Sequence, residues 1–246
     1  MTDDPAPSRR SKLGSAVKEI LLVLLGAILI SSLLRAFVFE PFTIPSESME
    51  NTLQVKDKVV AQKITDFKRG DVIVFRDPGD WVSGMGKPTT NPVRMGLEFI
   101  GVLPNTSDDF LTKRVIGLPG DRVACCDAQG RVTINGHSLD ESSYLYSDGA
   151  GPIESSGTPF DIVVPKDHLL VLGDHRNASG DSRCHMNPGA EIAGFVPIDH
   201  VVGPVGLIVA PLERWQQLRT PAVFDGVPPP TGEAPVAPEI RVRPEC

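Results

Sequence analysis

The sequence predicts a mainly β protein: an antiparallel sheet domain behind one N-terminal transmembrane helix. Three observations lead there. A single apolar run of membrane length lies near the amino end, from Ile20 to Phe39. Short β-branched runs punctuated by turn residues follow it. Past Phe39 no long stretch carries the 3.6-residue apolar period of an amphipathic helix.

The apolar run is long enough for a bilayer core, roughly 30 Å at about 1.5 Å per helical residue. A cleaved secretory peptide would end sooner and show a small-x-small site, but Arg35, Phe37 and Phe39 occupy that stretch, so a retained signal anchor fits better. Arg35 lies near the far end, where its side chain can reach the interface. Arg9, Arg10, Lys12 and Lys18 precede the run, which keeps the amino terminus cytoplasmic and the rest outside, in a single-pass cell-membrane protein. The expected organisation is a polar, disordered 1–16, an anchor over 17–39, an extracytoplasmic β domain over 40–216 and a Pro-rich, solvated tail over 217–246.

Within the β domain the expected strands are 58–65, 71–76, 122–126, 131–134, 161–164, 168–172, 200–202 and 206–210. The run from Val201 to Pro211 is too short, and too interrupted by Gly and Pro, to be a second span; it reads as buried strand. Residues 80–105 form a Gly/Pro-rich insertion with one apolar patch between Leu97 and Leu103, and 147–158 a Gly/Ser loop. The 246 residues suffice for a substantial core, and 23 glycines with 23 prolines suit a turn-rich chain. A net charge of −7 excludes a nucleic-acid partner, because phosphate binding needs a basic face.

The four cysteines, at 125, 126, 184 and 246, show no CxxC and make a poor zinc pattern. Either one of the adjacent pair bonds Cys184 or these are buried free thiols; Cys246, at the end of a tail, is expected to be unpaired.

A candidate nucleophile follows the apolar run directly, in Ile44-Pro45-Ser46-Glu47-Ser48-Met49. A serine hydroxyl attacks a carbonyl only when a base is held within hydrogen-bond reach. None of the five histidines stands in a recognisable catalytic context. The other solution is a neutral lysine. Near a pKa of 10.4 only about one lysine in 2,500 is neutral at pH 7, and burial can lower that pKa by roughly three units. Lys113, followed by Val115, Ile116 and Leu118, suits such a place, with Arg114 on the opposite strand face.

Four blocks in fixed order carry a more specific likeness: Glu40–Met49 with Thr52-Leu53, Gly70–Phe75, Lys113–Asp121, and Gly173–Arg183. From the apolar run to about Trp215 the chain resembles the bacterial type I signal peptidases, membrane-anchored serine proteases that remove signal peptides from exported proteins. The resemblance implies an antiparallel β fold and no metal or organic cofactor. It implies Ser48 as nucleophile, Lys113 as general base and Ser179 as the residue orienting the lysine. The Ser48 N–H and the Ser46 hydroxyl would hold the oxyanion, and Asp181 with Arg183 would be a structural pair. Phe42, Ile44 and Leu53 would line shallow pockets for small substrate residues, with Thr112 a more polar wall. The implied partners are signal-peptide-bearing preproteins, the lipid bilayer and the secretion translocon. The chain departs from the usual pattern at Asn51, Thr112, His175, Asn177-Ala178 and Cys184. Two other readings carry less. A self-cleaving repressor would need a DNA-binding segment and no anchor; a silent anchored domain would not need both Ser48 and Lys113.

Overall fold

The computed structural model describes residues 9–79, 81–82, 91–93, 96, 110–149 and 155–246. The apolar patch between Leu97 and Leu103 lies outside them. Helix α1 (Arg9–Phe37) leads the chain, and its stretch Ala16–Phe37 is apolar enough to cross a membrane, with none of it covered by protein. It begins eight residues before the expected start, within the segment expected to be disordered, because nothing between Arg9 and Val17 breaks a helix. It also stops two residues short of the expected end, since Phe39 already belongs to a sheet.

That sheet holds β1 (Phe39–Thr43), β2 (Lys58–Gln62), β3 (Val72–Arg76), β4 (Phe110–Gly117), β9 (His168–Leu172), β10 (Val196–Pro197), β11 (Val201–Ala210) and β12 (Gln216–Gln217). Its order is β1-β2-β11-β3-β4-β9-β10, with β12 on β11, and every pairing is antiparallel. A second sheet, in the order β13-β8-β5-β6-β7, comprises β5 (Arg122–Cys125), β6 (Val132–Ile134), β7 (His137–Ser138), β8 (Phe160–Val163) and β13 (Glu239–Val242). The mainly β, antiparallel class follows the sequence reading.

Alternation explains how the larger sheet is buried. On β3 the run Val72-Ile73-Val74-Phe75 is covered on both faces, as a central strand requires. Val72 and Val74 join Phe42, Ile44, Met49, Leu53 and Val59 on one side. Ile73 and Phe75 join Trp81, Val115, Leu169 and Val171 on the other. A third cluster fills the space around the smaller sheet, with Val123, Ile134, Phe160 and Ile162 among its members.

Where two separate strands were expected, β11 is one. Its first half pairs with β3 and its second with β2, with a bulge between Val201 and Gly203. Gly203 is needed at that kink: its φ is +155°, and a Cβ there would stand 2.0 Å from the Gln62 carbonyl oxygen.

The segment expected to be a solvated tail is instead a strap. Phe224 is buried over Gly70, whose φ of +84° and closeness to that ring leave no room for a side chain. β13 then adds an edge strand to β8. Cys246 is bonded to Cys184 with Cα atoms 5.2 Å apart, and Cys125 to Cys126, so both expectations for the cysteines are corrected. Prolines at 228–230, 235 and 238 gave the strap the composition of a linker, while hydrogen bonds to carbonyl groups hold it: Lys166 N–H donates to Pro235 O, and Asn135 Nδ2 to Pro228 O.

Candidate active site

Register on β4 aims two adjacent cations at opposite faces. Lys113 stands opposite Ile73 and Arg114 opposite Val72, and both side chains are buried. The Ser48 segment reaches this strand by a tight turn after β1. Glu50 N–H donates to Glu47 O, Leu53 N–H to Met49 O, and Met49 and Leu53 are sealed in the core beneath. Asn51 sits in that turn at φ +79°, a conformation asparagine tolerates better than most residues.

Ser48 and Lys113, 65 residues apart in sequence, meet there: Lys113 Nζ donates to Ser48 Oγ at 2.5 Å. Lys113 is 3% exposed and Ser48 6%. Burial lowers the lysine pKa from 10.5 to about 8, against the opposing pull of Asp181 and Asp174. The Ser46 hydroxyl lies 3.4 Å from Ser48 Oγ. The Ser48 carbonyl accepts from His175 N–H at 3.1 Å, which ties the Ser48 turn to the loop after β9.

That loop, from Gly173 to His185, supplies the remaining candidates. Asp181 and Arg183 form a two-pronged ion pair, Nε to Oδ1 and Nη2 to Oδ2 both at 2.9 Å, with Asp181 fully buried. Burial alone would raise the Asp181 pKa; the Arg183 charge and hydrogen bonds outweigh it and hold the pKa below the usual carboxylate value. Asp181 Oδ2 also accepts from Gly173 N–H.

Ser179 is buried in this loop, but its hydroxyl makes no hydrogen bond to Lys113; it lies beside Asp181 and helps hold that carboxyl's pKa down. It packs on Gly173 instead. A Cβ added at Gly173 would come within 2.2 Å of Ser179 Oγ and 2.5 Å of the Ser48 carbonyl oxygen, so glycine alone lets the loop approach Ser48. Gly173→Ala should therefore cut activity at least tenfold and cost about 1–3 kcal/mol of stability, since a backbone oxygen must move. Unchanged melting and cleavage rate would contradict this packing.

Of the expected pocket residues, Phe42 and Ile44 are nearly buried and Thr112 is partly exposed. Leu53 is 0% exposed and packs in the same cluster as Phe42 and Ile44. Sequence reasoning missed Asp174. It receives Arg114 at 2.8 Å (Nε to Oδ1) and 2.5 Å (Nη2 to Oδ2), and Thr52 Oγ1 at 2.5 Å. Arg114 also lies 4.3 Å over the Tyr144 ring and donates to Gly70 O. This pair braces β4 one residue beyond Lys113. Its only sequence signal was an acid beside Gly173 in the last block.

A serine hydroxyl held against a buried amine is an arrangement for attack on a carbonyl, the class of the serine hydrolases. Residues 17–210 match the family described as signal peptidase, peptidase S26. Signal peptidase I of Mycobacterium tuberculosis is 34% identical, the match covering 89% of this chain and 80% of the relative. The probable signal peptidase I of Mycobacterium leprae is also 34% identical, covering 82% and 78%. For signal peptidase I of Leptolyngbya laminosa the figures are 34%, 89% and 90%. The chain belongs to the signal peptidase family, peptidase S26. It is a serine endopeptidase of signal-peptide processing, with one N-terminal apolar helix that fits a membrane anchor.

Proposed function

We propose that the protein cuts signal peptides from exported preproteins through a Ser48–Lys113 dyad and an acyl-enzyme. The observation that carries this reading is the 2.5 Å contact between Lys113 Nζ and Ser48 Oγ in a buried setting. With a pKa of about 8, about one amine in ten is neutral at pH 7, several hundredfold more than in water. The neutral amine takes the Ser48 proton as Oγ attacks the carbonyl after a small P1 residue. The Ser48 N–H and the Ser46 hydroxyl face the developing oxyanion, one such donor being worth about 3 kcal/mol. The lysine then protonates the leaving amine, and as a free base again it activates water to release the acyl group. Ser179, buried in the adjoining loop beside Asp181, turns its hydroxyl to the amine during this cycle. Asp181 and Arg183 keep that loop in shape.

Substrate selection rests on an extended peptide laid beside the nucleophile segment, where backbone hydrogen bonds give affinity and shallow pockets near Phe42, Ile44 and Thr112 admit only small residues. Cleavage then follows the second small residue of a small-x-small motif. The helix crosses the membrane once, amino end inside, and eight residues separate Phe39 from Ser48, so the serine works close to the outer surface. Substrates arrive there from the translocon still threaded through the bilayer.

The test is cleavage of a preprotein by the purified full chain in detergent, with the product's new amino terminus read by mass spectrometry. A cut elsewhere than after the second small residue would remove the specificity reading. The dyad also fixes a pH dependence. The base must be deprotonated, so kcat/KM should rise about tenfold per pH unit below about 8 and level off above it. A profile already flat from pH 6 would exclude Lys113 as the titrating base.

A further inference from the structure

We infer that Cys184 and Cys246 are a positioning pair: their disulfide fastens the C-terminal strap across the Gly173–His185 loop and holds that loop against Lys113. The inference rests on Lys113 acting as the base. Cys184 is the residue after Arg183, and its backbone N–H donates to Asp181 O at 2.9 Å in the short 3-10 helix Ser182–His185. The other half of the bond is 62 residues away. The strap is anchored close by on its own account. β13 is paired to β8, Arg243 Nη1 donates to Met186 O at 2.5 Å, and Arg243 Nη2 meets Glu191 Oε1 at 2.7 Å. The loop is therefore gripped from outside at two neighbouring points, Cys184 and Met186.

What the grip holds is the electrostatic surrounding of the amine. The charges that act on Lys113, namely Asp181, Asp174 and Arg183, all come from this one loop, and His185 at its end senses both Lys113 and Asp181. Inside, the loop is fastened to β9 through Val171 N–H to Ser182 Oγ and Gly173 N–H to Asp181 Oδ2, each at 3.0 Å. These are ordinary hydrogen bonds, whereas the outer fastening is covalent. Opening it would let the loop lift and water reach the amine. Burial is the largest cause of the lowered lysine pKa, so hydration would return the pKa toward its ordinary value. Fewer enzyme molecules would then carry a neutral base at pH 7, while at pH 10 nearly all still would.

The experiment uses the full chain in detergent with Cys125→Ser and Cys126→Ser, which leaves Cys184–Cys246 as its one disulfide. Dithiothreitol reduces that bond in the folded enzyme, giving two thiols and the cyclic oxidised reagent; iodoacetamide then caps the thiols, which are counted by mass. kcat/KM is measured from pH 6 to 10 before and after. The acid limb should move up by about one pH unit, so that kcat/KM at pH 7 falls about tenfold while the value at pH 10 changes by less than about twofold. Cys246→Ser should reproduce the shift without reductant or capping groups. An acid limb that stays in place overturns the inference, whether activity is unchanged or falls equally at every pH. Lys113→Met serves as the separate control: activity surviving in that variant would bring down the dyad, not the role of the disulfide.

Discussion

Lys113→Met is expected to abolish cleavage and, at pH 7, to make the fold more stable. The loss of activity follows from removing the base, on the order of 10⁴-fold in kcat/KM or more, and Ser48→Ala should do the same. The double variant should be no worse than either alone, because the two groups act as one unit. The gain in stability has a different origin. Lys113 is buried, and its pKa is lowered from 10.5 to about 8, so at pH 7 the folded state carries a buried charge it disfavours. At about 1.36 kcal/mol per pKa unit the penalty is roughly 3 kcal/mol. Methionine fills similar space without the charge, so the melting temperature should rise by several degrees, on the order of 6–12 °C. The sign is fixed by linkage. Between pH 8 and 10.5 the unfolded chain binds more protons at this position, so the native enzyme gains stability across that window as pH rises. The Met variant should lack that gain. Melting curves of both proteins at pH 7 and pH 10 check it, and a Met variant less stable at pH 7 would contradict it.

Asp174→Ala is expected to destabilise the fold strongly. It would leave the Arg114 guanidinium, 2% exposed, without its two-pronged partner, and would also deprive Thr52 Oγ1 of its acceptor. Breaking a buried pair by removing one member typically costs 3–5 kcal/mol, roughly a third or more of the stability of an ordinary domain. Replacing both members with apolar residues of similar size, Arg114→Met with Asp174→Leu, should recover most of that loss, since an uncompensated charge is the main penalty. Denaturant unfolding of the two variants beside the parent separates these effects. Equal destabilisation by the single and double changes would show that packing, not charge, dominates here.

The elements most legible in the sequence were those whose pattern is local. Val72-Ile73-Val74-Phe75 and His168–Leu172 announce buried strands by uninterrupted apolar residues, and both occur where expected. β1 was hidden because it follows the apolar run without a break and carries Pro41, which its place at the sheet edge tolerates. β13 was hidden by its surroundings, although Glu239-Ile240-Arg241-Val242 alternates polar with apolar as an edge strand should. Ser48 and Lys113 could be picked out through their blocks, and their side chains meet. Links between distant residues were not legible. Nothing local pairs Arg114 with an acid 60 residues on, or Cys184 with Cys246, because connectivity is a property of the fold and not of spacing.

The strand that carries the amine does not end with its sheet. After Gly117, where β4 passes too close to Val164 and Val123 to allow a side chain, four residues turn the chain through Gly120 into β5 of the smaller sheet. Arg69, from the loop before β3, pins that corner by two 2.6 Å bonds to Asp121. The two sheets thus share one continuous run of chain, with Lys113 on its first strand. A change at this corner, such as loss of the Arg69–Asp121 pair, would be felt in both sheets at once.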